Sequence, residues 1–237
     1  MKGGFLCGGA MIFDNIRRTL LEPLWDEGPN GIFLLFNGLR ETVVITAVAI
    51  AFGIALGIVI SLLRMSRNRL VSGLARAYTE IIRGTPLLVQ LLIIYFVVFQ
   101  AVDLNKTMAA VIAFGLNSGA YISEIIRAGI QAVSPGQMEA ARSLGMPFGM
   151  AMKEIILPQA VKNILPALGN EFVVLLKETS IVGFIGGNDL MRAGNKIRSI
   201  TYEATIPLFS TAIVYLVITF TLSQLLIKFE RRLHTSD

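Results

Sequence analysis

TVVITAVAIAFGIALGIVISLL, residues 42–63, runs for 22 residues without a charge between Glu41 and Arg64. A hydrocarbon core of about 30 Å takes about 20 apolar residues at ~1.5 Å rise each, so this stretch predicts a membrane-spanning helix. Along it Ala49, Gly53, Gly57 and Ser61 recur every four residues, a small-residue stripe that lets a second helix backbone come close. The whole chain shares this character. Of its 237 residues 54% are hydrophobic and 16% charged, with a mean hydropathy of +0.68, whereas soluble domains run near ~45–50% and ~25%. So apolar a chain excludes both an ordinary soluble domain and a disordered one.

Four more stretches read as spans. Leu87 to Val102 is entered through Gly84 and Pro86 and closed by Asp103, Asn105 and Lys106. Thr107 to Ile126 carries Asn117, Ser118 and a late Glu124. Ile164 to Phe184 is irregular, holding Glu171, Lys177 and Glu178, and Pro207 to Ile227 is free of charge. Five spans put the termini on opposite sides. With the C-terminus inside, the inner segments hold 12 Lys/Arg and the outer ones 8. Arg64, Arg67 and Arg69, and Lys228, Arg231 and Arg232, abut span ends, so the N-terminus is expected outside and the C-terminus in the cytoplasm.

Ahead of the first span, Ile12, Ile16, Leu20 and Leu24 recur at helical spacing, with Phe13 and Leu21 beside them and Asp14, Arg17, Arg18 and Glu22 opposite. This predicts a helix lying flat in the membrane interface near Trp25. A cleaved signal sequence fits less well, because Met1 to Ala10 is glycine-rich and Asp14 interrupts the apolar stretch. The single cysteine, Cys7, allows no internal disulfide, and the single histidine, His234, reads as a solvated tail residue. The net charge of +5 matters less here than where the charges lie.

The loop between the third and fourth spans is the most patterned polar stretch. Ser134-Pro135-Gly136-Gln137 reads as a helix start, with Ser134 as N-cap, Pro135 at the first helical position and Gln137 closing a capping box. Met138 to Leu144 continues with helix formers, Gly145 and Pro147 stop it, and a second short helix runs from Phe148 to Ile156, ended by Pro158. Such a loop serves as a folded linker, a DNA-reading helix pair or a knob for a partner. Nucleic acid is disfavoured, since the first helix offers only Arg142 against Glu139. Composition leaves linker and knob open.

Spacing adds a resemblance. Glu139-Ala140-Ala141, Gly145 after three further residues, and Ile155-x-Leu157-Pro158 after nine more resemble the signature loop of importer-type ATP-binding cassette (ABC) transporter permeases. Arg83-Gly84-Thr85-Pro86-Leu87-Leu88-Val89-Gln90, Gly119-Ala120-Tyr121 with Glu124 and Arg127-Ala128-Gly129-Ile130, and Lys177-Glu178-Thr179-Ser180 look like the polar amino acid uptake branch. These motifs extend over residues 40–232.

The resemblance implies one permease domain over residues 1–237, with an N-terminal segment 1–30, a core 40–232 and a coupling loop 134–158. The fold expected is all-α and membrane-integral, with five transmembrane helices, an N-terminal interfacial helix and a cytoplasmic coupling helix, in a prokaryotic cytoplasmic membrane. It further implies that Glu139, Ala140, Ala141 and Gly145 meet a separate ATPase subunit, which binds ATP and Mg. A second permease subunit, as a homodimer or as a related permease, would complete the pathway, and an extracytoplasmic binding protein would deliver the amino acid. This chain itself is expected to hold no cofactor. Gly3-Gly4, Gly8-Gly9 and Gly186-Gly187 lack the phosphate-cradling G-x-x-x-x-G-K-[ST] spacing. No Ser/His/Asp, Cys/His or metal-ligand constellation points to an enzyme, so no catalytic or metal residue is assigned.

Charges within spans cost about 2.5–3.5 kcal/mol each near the centre and are functional candidates by default. Glu171 and Glu178, seven apart, share a helix face to within ~20°. Lys177 is suited to a substrate carboxylate and Glu178 to an ammonium or basic side chain, with Thr179 and Ser180 as adaptable partners. Gln90, Asn117 and Ser118 complete the expected polar lining of a substrate pathway. Lys177 and Glu178 neutralising each other is the structural alternative, and Glu171 falls outside the expected site. The resemblance to the polar amino acid branch implies basic or amide side chains as cargo, and Glu178 with Ser180 favours a basic one. An ion-coupled secondary amino acid transporter would also use intramembrane Glu and Lys. A membrane scaffold would explain the loop but not those charges.

Overall fold

The computed structural model describes residues 13–26 and 28–234, and among these every element is helical apart from an isolated bridge between Pro23 and Asn30. The first long helix, α1 (Gly31–Arg64), starts well before the charge-free stretch because Asn30 caps it, accepting the Phe33 N–H at 2.9 Å. After it come α2 (Arg69–Gly84) and α3 (Leu87–Ile93, extended by a π-turn over Ile94–Val98). The remaining helices are α4 (Lys106–Gln131), α5 (Pro135–Ser143), α6 (Phe148–Ala151, with a π-turn over Met152–Ile156), α7 (Leu157–Glu178), α8 (Leu190–Thr201) and α9 (Thr205–His234). A 3₁₀ turn, Thr179–Ile185, links α7 to α8.

The all-helical fold is as expected, and α1, α4 and α9 are each long and apolar enough to cross a membrane. The other expected spans are redrawn. Leu87 to Val102 ends at Val98, leaving 12 residues or ~18 Å of helix, and α2 precedes it at a bend of 108°. The fourth stretch begins earlier, at Leu157, and ends at Glu178. Pro158 does not end the preceding helix: the π-turn Met152–Ile156 runs directly into α7, and the proline is accommodated at that junction. α8 was not expected at all. Asp189 starts it, its carboxylate accepting the Met191 N–H at 2.9 Å and the Arg192 N–H at 3.4 Å.

The small-residue stripe is a packing seam. Ala49, Gly53, Gly57 and Ser61 are all buried, and α1 lies along α4 with both chains running the same way. A Cβ on Gly53 would come within 2.8 Å of the Ser118 Cβ, and one on Gly57 within 2.6 Å of the Ile122 Cγ2. The lock is reciprocal: Gly115 and Gly119 of α4 sit under Phe52 and Leu56 of α1. In lipid, where apolar burial gives no drive between helices, this interdigitation is the attraction. Ile45, Leu91, Phe114, Ile122 and Leu175 fill the core around the seam.

The N-terminal stretch is helical over a shorter length than the periodicity predicts. Residues 13–16 are helical and pass into a π-turn, Arg17–Leu21. Leu20 and Leu24 pack on Leu35, Leu190 and Ile197 of the chain's own bundle, made possible by Gly31, where a side chain would strike the Thr19 carbonyl. Phe13, Leu21 and Trp25 stay exposed, with Lys196 Nζ 5.5 Å from the centroid of the Trp25 ring. Ile12 and Cys7 lie outside the described residues. Between α8 and α9, Tyr202 adopts φ +56°, the sole non-glycine residue with positive φ among those described, and its side chain is 95% exposed.

Candidate functional site

The loop from Ser134 to Ile156 folds as a bent peg at the end where α1, α4 and α9 finish. Its bend is a Schellman closure: Met146 N–H bonds to the Ala141 carbonyl at 3.1 Å and Gly145 N–H to the Arg142 carbonyl at 3.0 Å, with Gly145 at φ +85°. That left-handed conformation is why glycine stands there. Glu139 and Ala140 are exposed, as are Leu144 (85%), Phe148 and Met150 at the bend. Two expectations change. Ala141 is 2% exposed, turned into the peg itself, so it supports the bend instead of presenting a contact surface. The capping box does not form: with Pro135 fixing the first turn, Gln137 N–H bonds to the Ser134 carbonyl at 3.0 Å and the Ser134 hydroxyl makes no cap bond. Val133, Ile156, Ala160 and Ile164 seat the peg on α4 and α7.

Just beneath the peg, α1, α2 and α4 are tied by one carboxylate. Glu124 pairs with Arg64 through one oxygen and with Arg127 through the other at 2.7 Å, while Arg83 stands 3.7 Å away and over the Tyr121 ring. Glu124 and Arg64 are nearly enclosed, at 18% and 14% exposure.

Gln90 and Asn117 do not line an open path. Pro86 has no N–H to give the Ile82 carbonyl four residues back, and the Gln90 side-chain amide supplies the missing donor at 2.7 Å, also reaching the Thr85 carbonyl and hydroxyl at 3.0 and 2.8 Å. The Gln90 Oε1 in turn accepts from the Asn117 Nδ2 at 3.0 Å. Both side chains are buried and committed to the α2–α3 bend, which corrects their assignment to the substrate lining. Ser118 is likewise buried and donates to the Glu171 carboxylate at 3.2 Å, bridging α4 to α7.

The remaining candidates separate. Thr179 is buried and donates to its own helix at the Leu176 carbonyl, 2.7 Å away. Glu178 is half-buried and lines neither depression next to Lys177 and Ser180. Lys177 and Ser180 line a groove of about 380 Å³ with Met191, Leu208, Thr211 and Tyr215. Ser180 and Met191 are shared with an adjoining depression of about 340 Å³ that includes Gly183, Arg192 and Asn195. Among the described residues Lys177 forms no close ion pair, though its charge acts on the adjacent Glu178, and the Tyr215 hydroxyl is buried beside Thr42, Thr179 and the Met191 backbone. Across α8, Arg40, Glu41, Asp189 and Lys196 line a third depression of about 330 Å³. Burial pushes the Asp189 carboxyl up from its ordinary 3.8 to about 6. Tyr215, Arg192 and Asn195 were missed in the sequence. They come from α8 and α9, and only the Asp189 cap signal ahead of α8 could have pointed there. Among the described residues no group of three or more His, Cys, Asp or Glu gathers as a metal site.

Comparison with known proteins fits this geometry. Residues 43–235 match the family model of the binding-protein-dependent transport system inner membrane component. The putative glutamine transport system permease protein of Rickettsia felis is 44% identical over 194 residues, covering 81% of this chain and 89% of that one. The arginine transport system permease protein of Bacillus subtilis is 43% identical over 205 residues, covering 86% and 94%. A crystal structure of an amino acid ABC transporter with histidines superposes with a TM-score of 0.82 at 52% identity, over 84% of this chain and 94% of that one. The chain thus belongs to the binding-protein-dependent transport system inner membrane components, as a permease of the importer-type ABC transporters similar to their amino acid branch.

Proposed function

We propose that this permease carries a polar amino acid inward and takes its driving force from a separate ATPase subunit seated on the peg. The carrying observation is the peg itself: a fixed bend, held from beneath, that displays a carboxylate at Glu139 beside exposed Leu144 and Phe148. A partner groove with an apolar floor and a basic rim complements that surface. ATP and Mg would be bound by that partner. The excess of Lys/Arg at the peg side supports a cytoplasmic C-terminus and an outside N-terminus. A second permease copy, in a homodimer, would close the open grooves into a shared pathway, and an extracytoplasmic binding protein would load it from the opposite end. Nucleotide binding then shifts the population between two arrangements of the bundle through the peg.

For the substrate, the groove offers Lys177 to an α-carboxylate and the Ser180 hydroxyl to polar groups. Neither it nor its neighbour is lined by a carboxylate, while both are lined by a cation, Lys177 or Arg192. That lining favours an amide side chain over the basic one that Glu178 suggested from the sequence.

The test uses intact cells carrying Leu144→Cys in a Cys7→Ser background with a bifunctional crosslinker. Capture of the ATPase subunit is expected; no capture from actively transporting cells sinks the coupling role. Glu139→Lys and Gly145→Pro should leave membrane insertion intact while uncoupling hydrolysis from uptake. Uptake that stops on collapse of the ion gradient, with the ATPase intact, would favour a secondary transporter instead.

A further inference from the structure

α2 is left unused by the pathway and the peg. Its inward side, with Ala75 and Thr79, packs on α1 and α4, and Tyr78 donates to the Leu116 carbonyl at 2.6 Å. Its outward side is divided in two. At ~100° per residue Arg69, Arg76 and Arg83 fall within about 40° of one another, and Leu70, Leu74, Ala77 and Ile81 form a second strip about 130° round the axis. All seven are exposed, with Leu70, Leu74 and Ile81 each above 60%. Among the described residues Arg69 and Arg76 have no ion-pair partner, and Arg83 is only partly engaged by Glu124. The 108° bend fixes the attitude: if α3 runs along the membrane normal, α2 tips about 18° out of the plane. A helix lying so, at the depth of the Glu124 cluster, meets headgroups along one edge and acyl chains along the other.

We propose that α2 is a binding site for anionic phospholipid in the leaflet on the peg side, with the Arg69–Arg76–Arg83 edge holding headgroup phosphates and the leucine strip set among the acyl chains. The charge balance supports this occupant, since Arg67, Arg69, Arg76 and Arg83 stand against Glu80 alone on this segment. A second copy is disfavoured, because a two-fold contact through this face would set one arginine edge against another.

The experiment places the full-length chain in nanodiscs, with a fluorophore on Leu74→Cys in a Cys7→Ser background. Quenching is compared between spin-labelled phosphatidylglycerol and phosphatidylcholine. Preferential quenching by phosphatidylglycerol is expected. It should fall about fivefold for each arginine removed in Arg69→Gln and Arg69→Gln/Arg76→Gln, and millimolar inorganic phosphate should not relieve it. Unchanged thermal unfolding of these variants shows that the fold is intact. Equal quenching by the two lipids, preference unaffected by the substitutions, relief by free phosphate, or self-quenching between labels on two copies would each overturn the proposal.

Discussion

The charges at the two ends of this bundle are treated in opposite ways. Near the peg, Glu124 has both oxygens committed to arginines from its own and a neighbouring helix, in an almost enclosed setting. In the groove between α7, α8 and α9, Lys177 is exposed and forms no close ion pair among the described residues. A charge whose valences are filled holds helices together, whereas one left open is available to something that arrives. Four measurements can break or sharpen that contrast.

The largest effect should come from Glu124→Ala, which strands Arg64 in a nearly closed site. A loss of about 3 kcal/mol or more is expected in the unfolding of the detergent-solubilised protein. Lys177→Ala should change the same measurement by no more than ~0.5 kcal/mol. Comparable losses in the two variants would erase the distinction. Next, Lys177→Gln should lower uptake per unit of folded protein about 10–100-fold, the worth of one charge-assisted hydrogen bond, about 1.5–3 kcal/mol. Full uptake would remove Lys177 from the pathway.

Gln90→Met tests the bend. It leaves the Ile82 carbonyl only the long Thr85 hydroxyl contact at 3.5 Å and takes the Asn117 amide's acceptor away, so about 1–3 kcal/mol of stability should go. No loss would mean that the Pro86 break is held by something else. The mildest change belongs to Gly145→Ala, where the added methyl meets open space but the left-handed backbone opposes it by about 1–2 kcal/mol. Reduced coupling of hydrolysis to uptake, with insertion preserved, is the expected readout.

The peg was legible in the sequence because everything that shapes it is local. Gly145 followed by Pro147 announces a bend by its own backbone preferences. The α1 seam was legible for the same reason, as a four-residue period. Gln90 was misread although its partners are near in sequence, because a polar side chain in a span resembles a ligand group unless the carbonyl orphaned by Pro86 is counted. The groove could not be read. Lys177, Met191 and Tyr215 belong to three helices, and their meeting depends on how α8, itself unforeseen, packs on α1.

The glycine seam limits how such a protein can change shape. Two staves keyed into each other by alternating knobs and gaps cannot slide lengthwise without lifting apart, so α1 and α4 travel as one plank. A push on the peg, seated on α4 and α7, is therefore carried to the part of α1 that the seam holds. Whatever gives way in a change of shape must lie outside this seam.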